Sequence, residues 1–296
     1  MLPGTLRSVD RHYRAMQAVQ AAALLAMRRA WSRVDPDDIG RSWAIQSIAA
    51  AAVFSGYQEA AAERGADYIG DALAEQGIDV DPAGRVNPEA FAGVASDGRP
   101  LAGLLYAPAT VALTRIRSGL APAAALRSAR NNLDRIVRTQ IADAGRGAAS
   151  VGIAARPGVG YVRMLNPPSC VVCVQLAGRY YRYNDGFQRH PKCDCVHVPA
   201  REAGAADLTT DPKAYFDSLS PEEQDELMGA EAAQAVRDGA DFNQVVNARR
   251  GATGVGTTTE GVTRVGAGRL MPDEIYRRAR SRDEALSLLR QYGYLI

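Results

Sequence analysis

The sequence predicts a mainly α-helical protein, in which a helical N-terminal domain is followed by a small antiparallel β module and then by C-terminal helices. Apolar residues recur every three or four positions over most of residues 1–155, which is typical of amphipathic helices. Residues 156–200 instead contain short alternating segments bounded by Gly, Pro or Asn, which are typical of strands. A hydrophobic content of 47% indicates a globular chain, and a net charge of +2 excludes general electrostatic binding of nucleic acid by the whole molecule.

The most apolar run lies at residues 43–56 and is interrupted by Gln and Ser. It is too short and too polar to span a bilayer, so we expect no membrane segment. The N-terminus lacks the apolar core of a signal peptide, so we expect the protein to be made in a reducing cytosol.

The first predicted helix covers residues 8–34 and should end before Asp35-Pro36, since proline disfavours helical backbone in the residue that precedes it. His12 lies in this helix beside Arg11 and Arg14. A histidine in such surroundings is expected to be solvated.

The second predicted helix begins near Asp37 or Asp38 and ends before Gly77. It carries Ile45 and Ile48, and its many alanines allow close approach to another helix. A turn-rich stretch at 77–100 then precedes two further predicted helices, at 101–118 and 123–150.

The β module should contain three short strands, near residues 161–165, 179–183 and 195–198. The chain then becomes helical again, and Ser220-Pro221 is a typical helix start. A Gly- and Thr-rich stretch predicts a flexible arm, and the apolar tail at 292–296 is expected to bind a partner. The predicted divisions are a helical domain at 1–155, the β module at 156–200, a helical segment at 201–246, the arm at 247–269 and a C-terminal helix with its tail at 270–296.

All four cysteines of the chain lie between residues 170 and 195, together with one of its three histidines. This concentration of soft ligands predicts a metal site, and zinc prefers four tetrahedral sulfur and nitrogen donors. The β module is therefore predicted to be stapled by a structural Zn²⁺. Two ligands are expected from Cys170 and Cys173, and two more from among His190, Cys193 and Cys195.

Three other interpretations of the cysteines stay open: a redox Cys-x-x-Cys, disulfides, and cysteines that are merely buried. The first lacks a surrounding βαβ pattern, and the second requires an oxidising compartment. His197 is a reserve candidate for the metal.

No catalytic residue is predicted. The histidines are His12, His190 and His197, and two of them fall in or beside the metal motif, which leaves little scope for a nucleophile and base pair. A catalytic zinc would also need an open coordination position and a neighbouring base. We therefore expect a protein that is not an enzyme and has no small-molecule substrate.

Four segments resemble one known family: Arg138–Ala142, Cys170-x-x-Cys173, Gly178–Tyr181 and His190–Cys195. The sequence is similar here to the Mu F-like minor head, or head morphogenesis, proteins of tailed bacteriophages. Residues 97–200 and 211–250 look most like the versions found in phages and prophages of actinobacteria. The resemblance implies a low-copy minor capsid protein of the virion, inside the head near the portal. It would act in head morphogenesis and in DNA packaging or delivery.

The same resemblance implies that the partners are portal and capsid proteins, and that packaged DNA is a further possible contact. It implies location in the host cytoplasm during assembly and in the head interior afterwards. The family's metal ligands would correspond to Cys170, Cys173, His190, Cys193 and Cys195.

The alternative is a zinc-stapled nucleic-acid-binding protein or nuclease, because the β module is locally basic. The residues that would contact phosphates are Arg163, Arg179, Arg182, Arg189 and Lys192. Salt-sensitive binding to nucleic acid would favour this alternative.

Overall fold

The structure is a computed structural model that describes residues 6–185, 188–189, 195–246, 258–259, 275–276, 278–293 and 295–296, with the backbone alone at 188–189 and 258–259. It is mainly α-helical, as predicted. Among these residues, no helix is both long enough and apolar enough to cross a membrane.

Three long helices form the body of the protein: α1 (Arg7–Trp31), α2 (Ile39–Glu75) and α5 (Pro122–Ala154). Each of the three packs against the other two, and two shorter helices, α3 (Leu101–Leu105) and α4 (Ala107–Arg117), pack on α2 and α5. The predicted helix at 101–118 is therefore divided in two. The division falls at Tyr106, directly before the first turn of α4, where Pro108 lies.

At the start of α1 and of α2, side chains accept hydrogen bonds from backbone N–H groups of the first turn, which have no partner within the helix. Asp38 caps α2 by accepting a hydrogen bond from the backbone N–H of Arg41. Glu75 caps α1 from the far end of α2, because its carboxylate accepts from the backbone N–H groups of Arg7 and Ser8 at 2.8 and 2.9 Å. These hydrogen bonds lower the pKa of Glu75.

The long helices α2 and α5 approach most closely where two glycines meet. A Cβ added at Gly65 would lie 2.0 Å from the backbone oxygen of Gly145. Toward the N-terminal end of α2, the indole N–H of Trp43 donates to the carbonyl of Leu105 at 2.8 Å, and Trp43 packs edge-on against Trp31. We call the apolar cluster around these helices the helical core.

A three-stranded antiparallel sheet follows, in the spatial order β2–β1–β4, from β1 (Gly160–Met164), β2 (Tyr180–Tyr181) and β4 (Val196–Ala200). The register pairs Tyr161 with Tyr181 on one side and Val162 with Val198 on the other. Every residue of β1 and β4 is buried, because the sheet lies against α2 and α5. The strands, predicted from alternation, are confirmed, and they are covered on both faces.

A second apolar cluster, the sheet core, surrounds this sheet. It also takes side chains from α6 (Val171–Leu176), α8 (Pro221–Met228) and α9 (Ala230–Arg237), and from Tyr215 and Phe216 in α7 (Pro212–Asp217). Ser220 and Glu223 form a reciprocal capping box at the start of α8, which confirms the predicted helix start. The remaining strand pair joins β3 (Gln188–Arg189) to β5 (Thr258–Thr259).

The C-terminal helix α10 (Arg282–Gln291) returns to the helical core, where Leu286 and Leu289 are buried. Leu295 is 2% exposed and pairs with Val86, while the backbone groups of Arg85 and Ile296 exchange two hydrogen bonds of 2.9 Å. Leu295 thus packs against the turn-rich stretch of the same chain, and partner binding by the tail stays a prediction. Ile296 remains 63% exposed.

The expectation that His12 is solvated is wrong. His12 is 9% exposed, and its ring stacks on Tyr68 of α2 with centroids 3.9 Å apart. Its polar neighbours in the sequence point away because a helix turns by 100° per residue, so the neighbours of a buried position are commonly exposed. The predicted arm at 247–269 lies outside the described residues except at 258–259.

Candidate functional site

Cys170 and Cys173 lie at the start of α6, in a tight turn of the kind expected for zinc ligands. Cys170 is the N-cap residue, and its Sγ accepts a hydrogen bond from the backbone N–H of Cys173 at 3.4 Å. Cys173 is 3% exposed and packs in the sheet core. The turn therefore brings together two sulfur donors in a largely enclosed setting, which fits half of a tetrahedral zinc site.

Cys195 directly precedes β4 and is also 3% exposed. Within the described residues, no group of three or more His, Cys, Asp or Glu side chains is arranged to hold a metal ion, so Cys195 does not join Cys170 and Cys173 in such a group. The other two predicted ligands, His190 and Cys193, lie outside the described residues.

The reserve ligand His197 has a different environment from the one expected. Its ring stacks on Tyr161 with centroids 4.4 Å apart, and Tyr161 stacks in turn on Tyr181 at 5.1 Å. The three rings form a continuous stack across the three strands. The strand register that creates this stack could be recognised only after the strands had been paired, so the sequence alone did not indicate it.

A small cleft of about 40 Å³, partly open to solvent, lies where the helical core meets the sheet core. Its lining includes His12 and Met16 from α1, Tyr68 from α2, Arg146 from α5, and Cys195 with His197 at the start of β4. The guanidinium of Arg146 is held by Asp143 at 2.8 Å, and both side chains are almost fully buried. The lining of the cleft thus combines two histidines with an arginine whose charge is paired by Asp143.

Burial controls the protonation of the groups in this cleft. It lowers the pKa of His12 from 6.5 to about 4, partly offset by a hydrogen bond to the backbone of Arg64. Burial also raises the pKa of Tyr68, so its hydroxyl stays protonated. The Nδ1 atom of His12 and the hydroxyl of Tyr68 have no hydrogen-bond partner within the described part of the chain. Near neutral pH, they offer one acceptor and one donor.

Of the five basic residues of the nucleic-acid alternative, the structure describes the side chains of Arg163, Arg179 and Arg182. Arg163 is 1% exposed within β1, so it cannot contact a phosphate from solvent. Arg179 and Arg182 are exposed, and the guanidinium of Arg179 lies 4.4 Å from the ring centre of Tyr181. The side chain of Arg189, and Lys192, lie outside the described residues.

The fold and the site thus define a mainly helical protein with a buried three-stranded sheet and a Cys-x-x-Cys turn. Residues 5–220 match the family model described as VG15 protein, which covers well over half of the 296 residues. The chain belongs to this VG15 family of phage gene products. No curated protein and no solved structure matches the chain.

Proposed function

We propose that this protein is a minor structural component of a tailed-phage head, of the Mu F-like type, that lies inside the head near the portal. In this role it contacts portal and capsid proteins during head morphogenesis and acts in DNA packaging or delivery. The observation that carries the proposal is membership of the VG15 family over residues 5–220, a range that includes α1 to α5, the sheet and the Cys-x-x-Cys turn.

The environment of the histidines supports a structural role in preference to a catalytic one. A general base works best when its pKa lies near the working pH. Because burial lowers the pKa of His12 to about 4, this side chain is a weak base at neutral pH. His197 is enclosed in the aromatic stack with Tyr161 and is 2% exposed.

We further propose that a structural Zn²⁺ is held by Cys170 and Cys173 together with His190 and Cys193. Cys195 is the less suitable candidate, because it forms no metal-binding group of three with the other described side chains. Bound zinc would tie the start of α6 to the segment that leads into β4, and so restrict a long loop within the sheet core.

The nucleic-acid-binding alternative receives no comparable support. Of the three proposed phosphate contacts whose side chains the structure describes, Arg163 is buried and only Arg179 and Arg182 are exposed, and phosphate binding needs several exposed cations together. We therefore retain the head protein as the proposed function.

The proposed function is tested in a phage or induced prophage that encodes the chain. We expect mass spectrometry to find the protein in purified particles, protected from added trypsin until the heads are opened. Deletion of its gene should reduce the yield of DNA-filled heads, and expression of the protein in trans should restore it. Absence of the protein from particles, with a normal yield after deletion, would contradict the proposal.

The metal proposal is tested by elemental analysis of protein purified without chelator. We expect about one equivalent of zinc in the wild type and in Val171→Ser, and loss of zinc in Cys170→Ser. The two variants introduce the same side chain at adjacent positions, so their comparison separates a lost ligand from a general effect of serine in this turn. Less than about half an equivalent in the wild type would contradict the zinc site.

A further inference from the structure

The N-terminal half of α2 carries an exposed face without charge. Ile45, Ile48 and Val53 are 62%, 75% and 53% exposed. The other exposed positions between Arg41 and Glu63 are Ala44, Ala49, Ala52 and Gly56. The spacing of these seven residues places them along one side of the helix, so they form a continuous apolar surface about 18 Å long at 1.5 Å per residue. We call this surface the α2 face.

Gly56 has no explanation within the fold. A glycine inside a helix is about 0.5–1 kcal/mol less stable than alanine. At Gly65 of the same helix this cost is explained by the close backbone of Gly145, whereas a Cβ added at Gly56 would meet no atom of the described residues within 4 Å. The space above Gly56 is therefore open to another molecule.

We propose that the α2 face is an interface between two copies of this chain, with the two α2 helices packed antiparallel about a two-fold axis between residues 50 and 51. This arrangement places Ile45 of one copy against Gly56 of the other, Ile48 against Val53, and Ala49 against Ala52. Ile45 meets the open position above Gly56, Ile48 and Val53 meet side chain to side chain, and the central alanines allow the helices to approach closely.

The absence of charge on the α2 face is the reason for choosing a second copy as the occupant. A charged partner would lose solvation here without gaining an opposite charge, so the occupant must itself be apolar. Among the described helices, α2 carries an exposed apolar face that spans 13 residues, from Ala44 to Gly56. The α2 face of a second copy, rotated by 180°, is itself apolar and therefore meets the requirement for an apolar occupant.

The size of the α2 face predicts a weak dimer. A stable interface buries about 800 Å² on each partner. One exposed helix face of this length offers a few hundred Å² on each copy, which is typical of weak or transient association. Dimerisation should therefore depend strongly on concentration.

Sedimentation velocity over a wide concentration range tests the pairing of Ile48 with Val53. We expect Ile48→Arg and Val53→Glu each to weaken dimerisation at least tenfold. An equimolar mixture should recover dimers, because the new arginine of one copy faces the new glutamate of the other. Leu120→Arg is the matched control, since Leu120 is 41% exposed outside α2, and it should dimerise like the wild type.

A second variant tests whether the open space above Gly56 holds Ile45 of the other copy. Gly56→Leu favours the helix but fills the position opposite Ile45, so we expect unchanged helicity by circular dichroism together with weaker dimerisation. A wild type that stays monomeric at every concentration would overturn the proposal, as would a mixture that recovers no dimer or a control that weakens it equally. Capture of a different protein by a monomeric wild type would likewise overturn it.

Discussion

The helical core and the sheet core are stabilised in different ways. Around Gly65 and Gly145, the helical core depends on shape, because two helix backbones are in direct contact there. The sheet core buries polar side chains on its strands, Arg163 and His197, just as the helices bury Gln58 and Gln140, and it holds His197 in an aromatic stack. We therefore expect added side-chain volume to reduce the free energy of unfolding most in the helical core. We expect changes of protonation to reduce it where the helical core meets the sheet core.

The largest effect is expected from a single methyl group in the helical core. Gly65→Ala places a Cβ against the backbone of Gly145, which can move only if α2 and α5 separate, so we expect a loss of about 3–5 kcal/mol in the free energy of unfolding. Gly56→Ala is the control on the same helix and should gain about 0.5–1 kcal/mol. Denaturant unfolding of dilute protein measures both, and a small or favourable effect at Gly65 would show that the contact between the helices is loose.

A smaller effect is expected from pH at the boundary between the two cores. Because the pKa of His12 is about 4 in the folded state and 6.5 in the unfolded state, the unfolded chain binds more protons between these values. The stabilisation from neutral His12 is therefore complete above pH 6.5 and is lost as the pH falls toward 4, by up to about 3 kcal/mol.

His12→Phe isolates this contribution, since phenylalanine can stack on Tyr68 but cannot titrate. The free energy of unfolding of the variant should fall less steeply between pH 6.5 and 4 than that of the wild type. Carboxylates titrate equally in both proteins, so only the difference between the two curves is used. Parallel curves would contradict the low pKa of His12.

Much of the fold follows from local patterns in the sequence. The period of 3.6 predicted α1, α2 and α5 to within a few residues, and alternation located β1, β2 and β4. Periodicity could not show which apolar positions are covered, because coverage depends on where distant elements pack. For this reason, Ile48 looked like an ordinary apolar helix position although it is 75% exposed, and His12 looked solvated although it is buried.

The candidate site was predictable in part. The spacing of Cys170 and Cys173 predicted a turn with two sulfur donors, and the structure contains that turn. The cleft that joins α1, α2 and α5 to β4 could not be predicted, since its residues lie up to 185 positions apart, from His12 to His197, and no motif links them. The full ligand set of the proposed zinc stays a prediction.

The pairing of Leu295 with Val86 also has a consequence for synthesis on the ribosome. The side chain of Arg290 donates to the carbonyl of Ala83 across 207 positions of sequence, so α1 to α5 emerge long before the residues that complete their core. During translation, the apolar surface later covered by Leu286, Leu289 and Leu295 is exposed to other nascent chains and chaperones. Because the helical body closes only after these late residues emerge, premature termination would release a chain with an open apolar surface.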